Sequence, residues 1–491
     1  VTINGEWAVA TVPDQNTYTF TAGSTANATT SGGGAAAIAA YQITTGDDDS
    51  APGLGWGIGP YDDGTYGTAR ATGAGILPAR TWTQDQWGED LIGCPKDGGI
   101  YLWDASTGTA TRAAVITGAP TSARGIFVSP ENKHLVAYGA HDGTAQDPML
   151  VRWSDSNDYS YWTVAEGHTA GVKRLTTGTE IIGHVNASGE TCLFTDSNLW
   201  TMTFEGGDFI FSWKDRGSNG RVMGPNAVVQ VDGKVYWMGA SDFYVYDGVV
   251  QPLSCDVHNH VFDDLNSTQA LKISCGFNRR FREIWWMYPS SRAVASDIAA
   301  TAMTAGTLYT IATVGTTDFT LVGASSNAVG IKFIATVAGS GTGTVTPDAT
   351  ENDRYVTYNI YEKTWSVGTM IRSMYVGDSK VVSNIYATGP DGYLYYHESG
   401  TEAGDIPLST SLESWDIEVP VSPRQNAGPG DYVAHIGRII PDFKTLTGTV
   451  NLTLTGKMYP QDSESITAGP YAIKSSTTNL DVRIRCRQIS I

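Results

Sequence analysis

Apolar and polar residues alternate along most of the chain in short runs, and a turn of Asp, Gly, Ser or Asn follows each run. Alternation with a period of two is typical of β-strands, and aromatic and β-branched residues suit such strands. The clearest runs are 100–104, 150–155, 199–202, 243–248 and 393–396. The pattern therefore predicts a chain made almost entirely of strands and turns.

The strand runs also repeat at a regular interval. The aromatic markers Trp103, Trp153, Trp200 and Tyr246 lie about 45 to 50 residues apart, which is the period of a four-stranded propeller blade. A twisted four-stranded sheet buries both faces only when other sheets pack against it. We therefore predict an all-β fold built on a β-propeller of about six blades. A sandwich of ordinary β-hairpins is the alternative.

Changes in residue composition and in the alternation of apolar and polar residues predict the domain organisation. The Thr-, Ala- and Gly-rich start of the chain predicts short strands, and a turn-rich linker at 423–430 precedes strict alternation at 450–455 and 481–487. The predicted segments are an N-terminal β-rich platform or docking segment at 1–89, propeller blades at 90–294 and 351–424, a small inserted β module at 295–350 and a C-terminal β domain at 425–491. The fold class is thus a propeller with an insert and additional β domains at both termini.

Charge and cysteine content narrow the functional classes. The net charge of −19 argues against a tight grip on nucleic acid, since such a grip needs a basic face. A surface past which DNA slides stays compatible with this charge. The five cysteines are scattered without a CxxC pair, which predicts reduced thiols made in a cytoplasm; they are Cys94, Cys192, Cys255, Cys275 and Cys486.

The sequence shows neither a membrane-spanning segment nor a secretion signal. No apolar run approaches the roughly 20 residues that a membrane-spanning helix needs, so no membrane span is predicted. No signal peptide is visible. The sequence starts at Val1 rather than at methionine, which leaves room for an upstream segment.

His258 and His260 are the strongest candidates for a metal site, next to Cys255, Asp256 and the acidic pair at 263–264. On an extended strand both imidazoles would point to the same side. No third ligand stands at a recognisable spacing, so a loop between blades is the favoured interpretation.

Other candidate sites are weaker. The aspartates at 47–49 and 62–63 lack the twelve-residue calcium pattern and predict solvated turns. The glycines at 53–59 lack the helix and the Lys-Ser/Thr pair of a phosphate loop. Residues 154–158 with Trp162 and Thr163 loosely match the Asp-box turn of propeller glycosidases, without its glycine. We predict no catalytic, cofactor-binding or metal site, no cofactor and no enzymatic activity.

Several motifs, taken in order, resemble the nozzle proteins of short-tailed bacteriophages, the tail tubular B type. These motifs are 153–155 with 161–163, 196–202, 235–239, 243–248, 283–289 and 359–365. Proteins that stabilise packaged DNA in other short-tailed phages look similar. The stretches 314–320 and 341–344, and the opening run 18–43, resemble modules of phage structural proteins. The resemblance covers about two-thirds of the chain and leaves the first 90 or so residues unmatched.

The resemblance implies a virion protein at the distal end of a short tail. It implies a homo-oligomeric ring, usually a hexamer, that contacts head-to-tail adaptor proteins and tail fibres. Genomic double-stranded DNA would pass through the lumen without sequence-specific binding, and inward-facing loops would form a gate. Two other functions stay open: a propeller module that binds host receptors or glycans, and a polysaccharide depolymerase that would need a pair of carboxylates.

Overall fold

The protein is described by a computed structural model. It describes residues 9–14, 17–21, 46–50, 78–207, 209–218, 220–292, 296–377, 384–400, 402–403, 406–407, 413–414, 416–418, 433–462 and 466–491. The chain divides into two compact units, Val1–Ser399 and Gly400–Ile491. Three predicted features lie outside the described residues, as does most of the opening run at 18–43: the glycines at 53–59, the aspartates at 62–63 and the linker at 423–430.

A short hairpin stands at the start of the described chain. Strand β1 (Val9–Asp14) pairs antiparallel with β2 (Thr17–Phe20). The hydroxyls of Thr11 and Thr19 lie 2.6 Å apart across the pair. The described part of the Thr-, Ala- and Gly-rich start of the chain thus contains short strands, as predicted.

Four sheets of the same construction follow. Blade 1 contains β3 (Trp82–Trp87), β4 (Asp90–Pro95), β5 (Tyr101–Trp103) and β6 (Ala114–Val115), and blade 2 contains β7 (Gly125–Val128), β8 (Leu135–Tyr138), β9 (Leu150–Trp153) and β10 (Gly171–Arg174). Blade 3 contains β11 (Ile181–Asn186), β12 (Thr191–Thr195), β13 (Asn198–Phe204) and β14 (Phe211–Ser218), and blade 4 contains β15 (Val228–Val231), β16 (Lys234–Met238), β17 (Phe243–Tyr246) and β18 (Val250–Leu253). Within each blade the strands pair antiparallel in chain order. A short 3₁₀ helix, Ala105–Thr107, follows β5.

Local sequence explains the tight turns. Between β15 and β16, Asp232 and Gly233 both have positive φ angles, +49° and +81°. This is the two-residue turn that matches the twist of a hairpin, and Asp-Gly is one of its preferred sequences.

Blade 5 carries an inserted module between its second and third strands. Its first two strands, β19 (Ser274–Asn278) and β20 (Glu283–Tyr288), follow the helix α1 (His258–Phe262) and the 3₁₀ helix Ser267–Lys272. The module contains β21 (Ile298–Ala299), β22 (Leu308–Thr313), β23 (Lys332–Ile334) and β24 (Thr344–Pro347), with 3₁₀ helices Ala300–Ala302 and Phe319–Val322. The blade resumes with β25 (Arg354–Asn359) and β26 (Trp365–Thr369), and β20 pairs directly with β25. The module has its own sheet and its own core around Phe319 and Phe333.

A buried ion-pair network fixes the inserted module to its blade. The Lys272 ammonium lies 2.8 Å from Glu351, and Lys332 of the module lies 3.1 Å from the same carboxylate. Lys272 also contacts Asp49 at 2.5 Å. The side chains of Lys272 and Glu351 are each 11% exposed, so their mutual attraction is weakly screened. Glu351 thereby links Lys332 of the module to Lys272, and Lys272 in turn links both to Asp49 of the segment 46–50.

Blade 6 has three described strands, β27 (Met374–Val376), β28 (Tyr386–Thr388) and β29 (Leu394–Tyr396). The first strands of consecutive blades are neighbours: β3 and β7, β11 and β15, β15 and β19, and β19 and β27. First strands therefore line a common axis. In the described part of the chain, the six sheets form the blades of a β-propeller, which confirms the predicted fold class.

Alternate side chains of one strand join neighbouring blades. Ile126 of β7 packs with blade 1, whereas the next residue, Phe127, packs with blade 3. On β12, Leu193 packs with blade 2 and Phe194 with blade 4. An inner strand buried on both faces must be apolar at every position, and this explains continuous apolar runs such as β8.

The aromatic markers occupy equivalent positions. Trp103, Trp153, Trp200 and Tyr246 each lie on the third strand of successive blades, on β5, β9, β13 and β17. The spacing of about 45 to 50 residues that predicted the repeat is thus the spacing between the third strands of successive blades.

His184 of β11 provides a test of how blades 2 and 3 pack. Its ring stacks on Phe127, with centroids 4.6 Å apart, and lies 5.6 Å from the ring of Tyr138. Burial between these rings lowers the pKa of His184 to about 4. Because this value lies below the pKa of about 6.5 in the unfolded chain, the unfolded state binds an extra proton between pH 6.5 and 4. The stabilisation is complete above pH 6.5 and is lost as the pH falls towards 4.

We expect His184 to account for about 2 kcal/mol of lost unfolding free energy between pH 7 and 4.5. Urea unfolding of wild type and His184→Gln at both pH values measures this, and the variant should lose correspondingly less on acidification. The exposed His260 supplies a matched control, His260→Gln. An identical acid response in wild type and His184→Gln would contradict the assignment.

In its described residues, the second unit (Gly400–Ile491) contains β-strands and no helix. A small hairpin, β30 (Glu402–Ala403) with β31 (Ile406–Pro407), precedes two sheets. One contains β32 (Ile417–Glu418), β37 (Gln488–Ser490), β34 (Thr449–Lys457) and β35 (Ile466–Lys474), and the other pairs β33 (Ala434–Ile439) with β36 (Leu480–Cys486). On β36, Val482, Ile484 and Cys486 are buried and the intervening residues are exposed. The alternation predicted at 481–487 is therefore present.

Two predicted boundaries differ from the structure. The boundary at 90 falls inside blade 1, because β3 pairs with β4 from Trp82↔Pro95 to Trp87↔Asp90. Strand β3 is hard to detect because its inward side chains are polar: Thr83 Oγ1 accepts from the backbone N–H of Ile126 at 2.9 Å, and Asp85 accepts from that of Val128 at 2.7 Å. The second unit begins at Gly400 rather than at 425, since β32 belongs to the sheet of β37.

Candidate functional site: an axial cavity and two exposed blade faces

The candidate metal ligands do not form a metal site. His258 and His260 lie on α1 rather than on a strand, and residues two apart on a helix point in nearly opposite directions. The His258 ring lies 2.6 Å, through Nε2, from the backbone oxygen of Ser241. Hydrogen bonds with Asn259 and Ser241 raise the pKa of His258. Among the described residues, no group of three or more His, Cys, Asp or Glu side chains is placed to hold a metal ion.

Asp155, in the segment that loosely matches an Asp-box, organises a loop. Its carboxylate accepts hydrogen bonds from the backbone N–H groups of Thr169 at 2.7 Å and Ser156 at 3.0 Å, and it lies 2.7 Å from the His168 ring. Partial burial acts to raise its pKa, but these bonds outweigh it and hold the pKa well below the usual range. The loop between β9 and β10 therefore has a structural carboxylate at its centre. Of the aspartates at 47–49, Asp49 also has a structural role, since it pairs with Lys272, whereas Asp47 and Asp48 are exposed.

A cavity of about 270 Å³ lies at one end of the propeller axis. Some wall residues lie just before the first strand of a blade, and others lie at or just after the end of the second strand. Because these two strands are antiparallel, the start of one and the end of the other meet at the same end of the sheet. The residues before first strands include Thr81, Arg124, Glu180, Met223 and Leu271, and those at the ends of second strands are Lys96 and Tyr138. The cavity thus draws on blades 1 to 5.

Segment 46–50 forms part of the cavity wall and is fixed there by an amide. The backbone N–H of Ser50 donates to Oε1 of Gln269 at 2.9 Å, and Nε2 of Gln269 donates to the Ser50 carbonyl at 2.6 Å. The backbone N–H of Ala79 donates to the Ser50 hydroxyl at 2.9 Å. All three residues are buried. These hydrogen bonds connect the segment that precedes blade 1 with the segment that precedes blade 5.

Of the three cations that line the cavity, only Arg124 forms ion pairs with described residues. Arg124 bridges blades 1 and 3, because its guanidinium contacts Glu180 and lies 3.6 Å from Asp97. Both carboxylates are therefore engaged by the same cation. Lys96 and Arg221, which also line the cavity, form no ion pair or side-chain hydrogen bond with any described residue. Burial, followed by repulsion from Arg124, lowers the pKa of Lys96.

Blade 1 leaves one face exposed. Cross-strand partners share a face of a sheet, so the register places Gln84, Gly93, Tyr101 and Val115 in one ladder and Gln86, Leu91 and Trp103 in the next. Trp82 lies over Gly93 on this face. Trp82 is 41% exposed and Val115 60% exposed. The opposite face, with Ile92 and Cys94, packs on blade 2. We call the exposed, uncharged side the blade 1 face.

Blade 6 has an equivalent exposed face at the other end of the series. Tyr375 and Ala387 are buried against blade 5, and their neighbours along each strand point the other way. These neighbours, which form the blade 6 face, are Met374, Val376, Tyr386, Thr388, Leu394 and Tyr396. Leu394 is 60% exposed and Tyr396 58% exposed. This face too is uncharged, and no hydrophobic cluster of the described residues joins it to blade 1.

Sequence reasoning identified neither the cavity nor these two faces. Lys96, Arg124 and Arg221 are far apart in the chain and follow no motif. A sequence signal could have found these three cations. Once the strands are assigned to first and second positions within each blade, each cation lies close before a first strand or just after a second strand. None of the helices in the described residues has the length and apolar character required to cross a membrane.

Comparisons with known proteins leave the family open. No family model matches the chain, and no curated protein matches it. Among solved structures, the chain is similar to a fungal alcohol oxidase of the AA5 family in complex with copper, with 9% identity, 83% of this chain and 78% of that chain covered, and a TM-score of 0.36. It is similar to Hsv2 of Kluyvelomyces marxianus, with 6% identity, 67% and 77% covered, and a TM-score of 0.33. YCF48 from Cyanidioschyzon merolae shows 12% identity, 64% and 98% coverage, and a TM-score of 0.27. Likenesses at these TM-scores carry no argument about function.

Proposed function

We propose that this chain is a structural virion protein, a subunit of the tail nozzle of a short-tailed bacteriophage. In this function it closes the tail channel at the distal end of the virion, retains the packaged DNA and conducts it during ejection. It acts as a homo-oligomer, a hexameric ring in contact with head-to-tail adaptor proteins and tail fibres, and it is not an enzyme. The ordered motifs at 153–365 support the proposal.

The observation that carries the proposal is the pair of exposed faces at the two ends of the blade series. Inner blades are stabilised by burying both faces against neighbours. The blade 1 face and the blade 6 face are instead exposed, uncharged and largely apolar, with Gln84, Gln86 and Thr388 as polar members. Apolar patches of this kind mark interaction surfaces. Two different faces on one subunit support a head-to-tail contact, which generates a ring when the rotation closes.

The net charge is compatible with this function. At −19, a ring of copies would present an acidic environment to DNA, and like charges limit adhesion to a moving duplex. No sequence-specific contact with DNA is required for passage through a lumen.

Electron microscopy of the purified chain tests the proposal. We expect six-fold rings with a central hole wide enough for duplex DNA, which is about 20 Å across, and a mass by light scattering of six chains. Monomeric particles at all concentrations tested would overturn the ring and, with it, the nozzle assignment.

A second candidate function is recognition of host glycans. The observation in its favour is the exposure of aromatic side chains, with Tyr361 85% exposed and Tyr393 50% exposed, since sugars stack on such rings. Binding of the isolated protein to a glycan array would support this function. A polysaccharide depolymerase is a weaker candidate, and release of reducing ends from host capsule is its test.

A further inference from the structure

The axial cavity holds cationic groups that form no ion pair with the residues that the structure describes. Asp97 and Glu180 are both engaged by Arg124. Lys96 and Arg221 are then left on the cavity wall without an ion pair to any described residue. The cavity wall carries three cations, Lys96, Arg124 and Arg221, and one carboxylate, Glu180. In a chain with 50 acidic and 31 basic residues, this excess of positive charge is a local reversal of the overall charge.

Keeping Lys96 there is energetically unfavourable in the empty state. Its side chain is half-buried. Burial and repulsion from Arg124 lower its pKa, and attraction from Asp97 and Glu180 offsets only part of this. A buried cation is normally paired or hydrogen-bonded, because loss of solvation is costly. An anion in the cavity would supply the missing partner for Lys96, and the exposed Arg221 on the same wall would be its second charged ligand.

The rest of the wall suits an oxyanion. The hydroxyl-bearing residues Ser50, Thr81, Thr83, Ser267 and Thr268 line the same cavity, and hydroxyl groups donate to anionic oxygens. Of these, Thr83 already donates to a backbone oxygen at 3.4 Å, a long bond. The volume of about 270 Å³ holds a small ion with several waters and is too small for duplex DNA.

We propose that the axial cavity is a binding site for a small, multiply charged oxyanion of the phosphate type, with Lys96 and Arg221 as its charged ligands. The bound ion bridges blade 1, which carries Lys96, and the approach to blade 4, which carries Arg221. It therefore stabilises the propeller by linking non-adjacent blades, since a ligand that binds only the folded state raises its stability. The site does not depend on ring formation.

Isothermal titration calorimetry with inorganic phosphate tests the site, in chloride buffer of constant ionic strength. We expect saturable binding at one site per chain and a melting temperature that rises with phosphate. Lys96→Met and Arg221→Gln should each weaken binding at least tenfold. Lys173→Met, on an exposed position of β10, is the matched control and should bind as wild type does.

Two results would overturn the proposal. One is the absence of saturable binding of phosphate to the folded wild-type chain. The other is binding that both cavity variants leave unchanged. Arg221 is exposed, so Arg221→Gln decides the question even if Lys96→Met impairs folding. Ring formation is scored separately by microscopy, so failure of the anion site and failure of the nozzle assignment are distinguishable.

Discussion

Replacement of Trp286 by alanine should lower the free energy of unfolding of the propeller by about 3–5 kcal/mol, the usual cost of removing a fully buried tryptophan. Trp286 of β20 is 0% exposed. Its ring lies 4.9 Å from that of Phe243 in blade 4, and its Nε1 donates to the backbone oxygen of Ala227 at 3.1 Å. The substitution therefore opens a cavity between blades and removes one of the two donors to the Ala227 carbonyl, which keeps its hydrogen bond from the Met238 backbone N–H at 3.1 Å.

Urea unfolding followed by fluorescence and circular dichroism measures this loss. Trp82→Ala is the matched control, because Trp82 is 41% exposed on the blade 1 face, and exposed positions usually change stability by less than about 0.5 kcal/mol. Equal losses in the two variants would contradict the blade-to-blade packing described for Trp286.

A charge placed on the blade 6 face should abolish ring assembly while the subunit stays folded. Leu394→Glu is the variant of choice, since Leu394 is 60% exposed in the single chain. In an assembled contact its carboxylate would be buried without a partner, which costs several kcal/mol. We expect self-association to weaken at least 100-fold, measured by sedimentation velocity, with an unchanged melting temperature of the monomer.

The control for this variant is Val249→Glu. Val249 is 63% exposed and lies in the turn between β17 and β18, on neither exposed face. Rings that persist in Leu394→Glu would exclude the blade 6 face from the contact. Rings lost equally in both variants would indicate a general charge effect.

Much of the fold could be predicted from the sequence, because each third strand carries a large aromatic residue. Trp103, Trp153, Trp200 and Tyr246 mark successive blades; the last three pack where two sheets meet, whereas Trp103 lies on the exposed blade 1 face. The inserted module was predictable as well, because its Thr- and Ala-rich strands interrupt an otherwise continuous repeat. Strand β3 escaped prediction because Thr83 and Asp85 replace apolar side chains with hydrogen-bond acceptors for β7.

The candidate sites could not be predicted in the same way. Lys96, Arg124 and Arg221 converge only because the blades turn around an axis, and the distance between them along the chain carries no sign of this. The two exposed faces are also hidden in the sequence: β29 is a continuous apolar and aromatic run like the buried inner strands, and only the missing neighbour makes Leu394 and Tyr396 exposed. The strand geometry assumed for His258 and His260 was wrong, because the segment forms the short helix α1.

A three-dimensional reconstruction of the assembled protein tests the central claim most directly. The predicted result is a six-fold ring around an open channel, in which the blade 1 face of each copy contacts the blade 6 face of the next. A closed ring with both faces still exposed to solvent would contradict the proposed contact. Particles that contain a single copy and no channel would contradict the nozzle function itself.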